Sequence, residues 1–89
     1  PEGTLHLDSG ACSALRHRGA SLLLVGITAV EGAFEANQAI SLTDPSGDEL
    51  GRGLCSLASD QLRQALMSHE EGESSPVVVH RDVLVLNSR

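Results

Sequence analysis

Leu5 and Leu7 alternate with Thr4 and His6 near the start of the chain. A period of two puts both leucines on one face of a short strand. The spacing then changes: Ala11, Ala14 and Leu15 recur at intervals of three and four, which marks one narrow face of a helix. Asp8 or Ser9 is placed to accept a hydrogen bond from a free first-turn amide. Arg16, His17 and Arg18 put positive charge in the last turn, where it complements the helix dipole, and Gly19 supplies the left-handed stop. The pattern predicts a helix over about Ser9 to Arg18.

Ser21 to Val25 is too apolar for a solvated loop and predicts an extended, buried connection. Gly26-Ile27-Thr28-Ala29-Val30-Glu31-Gly32-Ala33-Phe34 is the densest β signal in the chain. It predicts the central strand, with Ile27 and Ala29 on one face and Thr28 and Val30 on the other. Phe34, the one aromatic residue, is expected to anchor the core. Asn37 interrupts the pattern and tolerates positive φ. Ile40 and Leu42 are expected to face inward, Ser41 and Thr43 outward. Asp44-Pro45-Ser46-Gly47 fits a type I turn leading into a strand from Glu49 to Leu57, in which Gly51 and Gly53 suggest a bulge or bend. Ser59 is the expected cap of a second helix with Leu62, Ala65 and Leu66 as its buried stripe. His69 to Ser75 predicts a mobile acidic loop. Val77 to Val79 and Leu84 to Leu86 are strands broken by His80-Arg81-Asp82.

These elements make a mainly β, α+β domain of five or six short strands and two short helices. The strands lie too close in sequence for repeated crossover helices, which points to a small, mostly antiparallel β-barrel with helices over its open ends.

The 89 residues are expected to form a single domain, 1–89. A chain this size hides roughly 60–65% of its unfolded surface, enough for one small core. With one Phe and no Trp or Tyr, that core is aliphatic. Charge narrows the partners. Twelve carboxylates face six arginines, no lysine is present, and the net charge is −6, which is unfavourable to phosphate backbones and anionic lipid. Cys12 and Cys55, with no CxxC spacing, are expected to be buried free thiols in a reducing cytosol. No apolar run approaches 18 residues and no signal peptide is evident, so nothing directs the chain to a membrane and a cytoplasmic location is expected. The start at Pro1 suggests a fragment.

Candidate chemistry is sparse. His80-Arg81-Asp82 with Asn87 five residues past the Asp has the spacing of a protein-kinase catalytic loop. It lacks a Gly-rich loop and a metal-binding Asp-Phe-Gly, and reads instead as a bend with local hydrogen bonds. Cys12 and His17 fall about 140° apart around a helix, so they do not converge on a metal. No Gly-x-Ser-x-Gly and no phosphate-binding loop is present. Arg16, Arg18 and Arg81 are the candidates for a small basic patch, without the aromatic platforms that hold single strands.

The ordered residues carry more than any one motif. Leu5-x-Leu7-Asp8-x-Gly10-Ala11-x-x-Ala14-Leu15 is followed by Gly19-x-Ser21-Leu22-Leu23-x-x-Gly26-Ile27-x-x-Val30-Glu31-Gly32-x-Phe34. Then come Asp44-Pro45-x-Gly47-x-Glu49, Arg52-Gly53-Leu54, Ser59-Asp60-x-Leu62 and Val79-His80-Arg81-Asp82-x-Leu84-Val85-Leu86. This series resembles the PUA domain, and within that family the PUA domains at the C-terminus of bacterial glutamate 5-kinases. The resemblance covers nearly the whole chain. It implies a pseudo-barrel of mixed strands and a parent enzyme that phosphorylates glutamate with ATP at the start of proline synthesis. ATP and Mg²⁺ would then belong to an upstream amino-acid-kinase domain, leaving this domain without catalytic, cofactor or metal residues of its own. Its implied partners are that kinase domain and sister subunits, in a role of regulation or assembly. The alternative is an RNA-binding module. Across the family RNA docks near the first helix and the last strand, which maps onto Gly10, Ala11 and Arg81, with Arg16 and Arg18 nearby. Here the charge balance disfavours it. Asn37 and Ala20 depart from the usual pattern, which has glycine and a basic residue at those places.

Overall fold

A computed structural model describes residues 2–70 and 74–87. Strand β1 (Gly3–Leu7) runs into helix α1 (Ser9–Arg18), and β2 (Leu22–Leu23) follows. One 3₁₀ turn (Leu24–Gly26) leads to β3 (Ile27–Gly32), then β4 (Ala39–Thr43) and β5 (Glu49–Leu54). Helix α2 (Ser59–Ser68), β6 (Val77–Val79), a second 3₁₀ turn (Arg81–Val83) and β7 (Leu84–Leu86) complete the fold. Five strands form one sheet in the order β3-β1-β4-β5-β7, and β2 pairs with β6 in a second. The β1–β4 pair is parallel and the others are antiparallel. The result is the expected mixed, mainly β pseudo-barrel with two helices. Among the described residues the strand count reaches seven because Leu22–Leu23, within the predicted extended connection, pairs with Val77–Val79.

Helix α1 has the predicted limits. Asp8 caps it, its Oδ1 accepting from the Ala11 amide at 2.7 Å, and Gly19 ends it at φ 59°. Its buried residues are Cys12 and Leu15, with Ala11 packed beside them. The Asp44–Gly47 turn closes as expected, the Gly47 amide donating to Asp44 O at 2.9 Å. Asp44 Oδ1 also accepts from the amides of Ser46 and Asp48, each at 3.0 Å.

Five expectations need correction. The 26–34 run lies at the sheet edge, and β1 and β4 occupy the interior. Its side chains also do not alternate as predicted. Leu7 pairs with Ile27 and His6 with Ala29, so Thr28 is an extra residue, a β-bulge. The bulge turns Ile27 and Val30 toward the core together, Ile27 buried and Val30 half-buried, while Ala29 faces solvent. Strand β5 stops at Leu54 rather than Leu57, because Cys55 N then donates to Gln38 O and Ser56 N to Val78 O, carrying the chain across to β6. The irregularity on β5 falls at Leu50, since Leu42 pairs with Gly51 and Thr43 with Glu49. Gly51 serves close approach instead: a Cβ there would lie 2.4 Å from Val85 O on β7. Ser59 is the first residue of α2 rather than its cap. Its hydroxyl accepts from Phe34 N at 3.1 Å and donates to Phe34 O at 3.3 Å, which ties α2 to the β3–β4 connection.

One aliphatic core holds these layers together. Leu5, Ile40, Leu42, Leu62, Val78 and Val79 are wholly buried, and Phe34 is nearly so. Ser41 and Thr43 are buried too, although the alternation predicted an outward face. Their hydroxyls are satisfied by Glu49 Oε2 at 2.8 Å and by His6 Nδ1 at 2.9 Å, so polar side chains cover that side of the interior strand. Part of the acidic loop, residues 71–73, lies outside the described residues.

Candidate interaction cleft

Helix α1 lies against the 3₁₀ turn before β3 because two small residues meet there. A Cβ built on Gly26 would sit 2.6 Å from the Ala11 Cβ, well inside the 3.5–4.0 Å of ordinary carbon contact. Asp8 N donates to Gly26 O at 3.0 Å, fixing the start of the helix to the same point. From this junction the helix and the chain from Ala20 to Gly26 enclose an open cleft of about 570 Å³. Gly10, Ala11, Ala14 and Leu15 line one wall, and Ala20, Leu22, Leu23 and Val25 the other. Arg18 and Asp8 supply the charged groups among its described lining residues.

The structure separates the candidate residues. Gly10, Ala11 and Arg18 line the cleft. Arg81 borders it through its backbone, its amide donating to Ser21 Oγ at 2.9 Å. Arg16 faces elsewhere. Two residues apart on a helix means about 200° of rotation, and Arg16 Nη2 lies 3.8 Å from Asp44 Oδ2, in a separate depression with Asp48, Glu49 and Asn87.

Two polar clusters on the large sheet escaped the sequence reading. His6 Nδ1 meets Thr43 Oγ1 at 2.9 Å and its Nε2 meets Glu31 Oε2, linking β1, β4 and β3. Glu49 accepts from Asn87 Nδ2 at 3.0 Å, Ser41 Oγ at 2.8 Å and Arg52 Nε at 3.0 Å. These hydrogen bonds, that of Asn87 foremost, lower the Glu49 pKa to about 2. Alternation alone gives one clue, since Thr4, His6, Ser41 and Thr43 are the polar halves of two predicted strands. The pairing that brings them together is non-local.

The remaining motifs have local partners. His80 Nδ1 accepts from the Asp82 amide at 3.2 Å, and Asn87 binds Glu49, so the kinase-like spacing marks a 3₁₀ turn between β6 and β7. Cys12 and Cys55 are free and buried, and burial raises both thiol pKa values. Among the described residues, no three His, Cys, Asp or Glu side chains are grouped to hold a metal ion. No helix among them is long and apolar enough to cross a membrane.

Residues 3–72 match the family model of the PUA domain. The chain belongs to the PUA domain family. The PUA domain described here is 71% identical over 89 residues to a glutamate 5-kinase of Synechococcus sp. (strain CC9605), covering 100% of this chain and 25% of that protein. It is 64% identical over 88 residues to a glutamate 5-kinase of Prochlorococcus marinus (strain MIT 9313), covering 99% of this chain and 24% of that one. This PUA domain therefore spans about a quarter of the length of the curated relatives it matches. The resemblance carried by the ordered motifs led to the same family and the same enzyme group.

Solved structures share the fold. A PUA domain from Aeropyrum pernix K1, in complex with tartrate, superposes with a TM-score of 0.70 at 23% identity, over 90% of this chain and 44% of that one. A chain of a Cbf5-Nop10-Gar1 complex does so with a TM-score of 0.73 at 17% identity, over 94% and 22%. A chain of an H/ACA RNP bound to a substrate RNA containing 2'-deoxyuridine gives 0.68 at 14%, over 88% and 22%.

Proposed function

We propose that this PUA domain is the non-catalytic accessory module of a glutamate 5-kinase, acting on the regulation or assembly of an enzyme that phosphorylates L-glutamate with ATP in L-proline biosynthesis. The observation that carries the reading is the 71% identity extending over all 89 residues while spanning only 25% of the relative. In this reading ATP and Mg²⁺ are held by an amino-acid-kinase portion, in the cytoplasm. The module's partners are that portion and sister subunits. The buried, elevated thiols and the internally satisfied Glu49 support a binding role, because neither presents an activated group to a substrate.

The test is removal of residues 1–89 from the full-length enzyme. The expected result is retained phosphorylation with altered proline inhibition or altered oligomeric size in sedimentation. Unchanged kinetics, inhibition and size would overturn the reading, as would loss of turnover from a kinase portion shown to be folded.

RNA binding is the second reading, favoured by the shared fold of a chain in an RNA-bound H/ACA RNP and by the placement of Gly10, Ala11 and Arg18 along one cleft. Phosphate-driven binding weakens as salt rises, in proportion to the phosphates neutralised. Chemical-shift changes confined to α1 and Arg81 on adding structured RNA at low salt are its expected signature, and their absence removes it.

A further inference from the structure

We infer that the cleft between α1 and the Ala20–Gly26 segment is a docking groove for an apolar stretch of polypeptide from the remainder of the enzyme. The inference rests on the accessory-module reading above and names the surface through which the module acts. The first ground is chemistry. The helix wall of the groove carries Gly10, Ala11 and Ala14, whose small size lets another backbone approach closely. At its rim Leu23 and Val25 stand 40% and 57% exposed. Val77, the cross-strand partner of Leu23, is 44% exposed, so the apolar rim continues onto β6. Exposed apolar side chains grouped this way, next to a concave surface, mark an interaction site.

The second ground is preorganisation. Val25 N donates to Ser75 Oγ at 3.0 Å and Leu24 N to Pro76 O at 3.0 Å, while the Gly26–Ala11 contact fixes the helix opposite. An occupant would find both walls already in place, which reduces the ordering cost of binding.

The third ground is charge. A nucleic acid brings one phosphate per nucleotide, and the described groove lining carries one cationic side chain, Arg18, and one carboxylate, Asp8, in a chain of net charge −6. Apolar side chains meet no such penalty.

Tethering selects among polypeptides. A few exposed side chains are little beside the about 1,200–2,000 Å² buried in stable complexes of free proteins. A partner in the same chain or the same oligomer acts at an effective concentration of about millimolar. Since the relatives carry about three-quarters of their length outside the matched region, the fitting occupant is an apolar segment of that remainder.

The experiment uses the full-length glutamate 5-kinase carrying this domain, with the photo-crosslinking residue benzoylphenylalanine placed at Val25. A second protein carries it at Val85, which is 72% exposed on β7. The expected result is at least fivefold more cross-linked peptide from Val25 than from Val85, mapping by mass spectrometry outside residues 1–89. Leu23→Asp should remove that excess. Equal yields at the two positions, cross-links to the same groove of a second copy, or cross-links to co-purified RNA would each overturn the inference. The two readings fail separately. If deleting the module changes inhibition or assembly but Val25 shows no excess, the groove is excluded and the accessory role stands. If the deletion is silent, both fall.

Discussion

Gly26→Ala tests the contact on which the cleft is built. The added Cβ would lie 2.6 Å from the Ala11 Cβ and 3.6 Å from Leu22 Cδ1. Carbon atoms pack at about 3.5–4.0 Å, so α1 must retreat by about 1 Å or the 3₁₀ turn must shift. Neither is free to move cheaply. Asp8 N is bonded to Gly26 O, and Leu15 and Cys12 anchor the helix in the core. Overpacking of this kind costs about 1–3 kcal/mol. Each 1 kcal/mol lowers Tm by about 4–8 °C in a domain of this size.

The compensating change identifies the cause. Ala11→Gly alone costs about 1 kcal/mol in helix propensity. Combined with Gly26→Ala, it removes the atom that clashes, so the double variant should be no less stable than Gly26→Ala alone. The coupling energy should exceed about 1 kcal/mol, beyond the few tenths seen for independent sites. Thermal or urea denaturation of the four proteins reads it directly. Additive losses in the double variant would refute the close-approach argument, and so would a Gly26→Ala protein as stable as the parent.

Three more perturbations separate the other interactions. The folded pKa of Glu49, about 2, lies below its ordinary 4.5, so its stabilisation is complete above about pH 4.5 and is lost as pH falls toward 2. Glu49→Gln should flatten the denaturation midpoint over that window, and an unchanged pH profile would count against the network. Ser59→Ala leaves the Phe34 amide without its side-chain acceptor in a buried setting, and should cost about 1–3 kcal/mol in thermal unfolding. Arg63 Nη2 donates to the carbonyls of Val30 at 3.3 Å and Gly32 at 2.9 Å, occupying part of the β3 edge. Arg63→Met should cost about 1 kcal/mol and raise light scattering during refolding, because unpaired strand edges recruit other strands.

The parts legible in the sequence were those decided within a few residues. Helix α1 combines an N-cap, an apolar face, a basic last turn and a glycine stop in the twelve consecutive positions from Asp8 to Gly19, and its limits follow. Asp44-Pro45-Ser46-Gly47 carries its own turn chemistry. The misread features depend on partners distant in sequence. Nothing between Gly26 and Phe34 announces that Thr28 will be bulged, because the bulge exists only in the pairing with His6 and Leu7. The same holds for the run's place at the sheet edge. Ser59 has the composition of a cap, but Phe34, 25 positions away, takes its hydroxyl. The His6–Glu31–Thr43 cluster draws on three strands. Within the candidate site, helix geometry already separates Arg16 from Arg18, whereas Ser21's bond to the Arg81 amide spans 60 residues.

Shared architecture leaves the occupant of the cleft to local chemistry. Strand order superposes this domain on chains from ribonucleoprotein complexes at 14–17% identity, and a fold carries many functions on sites grafted onto it. If phosphate contacts governed binding here, the dependence of log K on log salt would have a slope of about −0.7 per phosphate neutralised on a single strand. Arg18 alone gives roughly that value, and adding Arg81 doubles it to about −1.4. A gradient so shallow leaves little electrostatic drive to hold RNA against a net charge of −6. Contact through Leu23, Val25 and Val77 does not draw on that charge balance, since burying apolar surface contributes about 25 cal/mol per Å² without any charged group. The acidic composition that opposes a nucleic acid is therefore compatible with the apolar groove proposed above as a docking site for polypeptide.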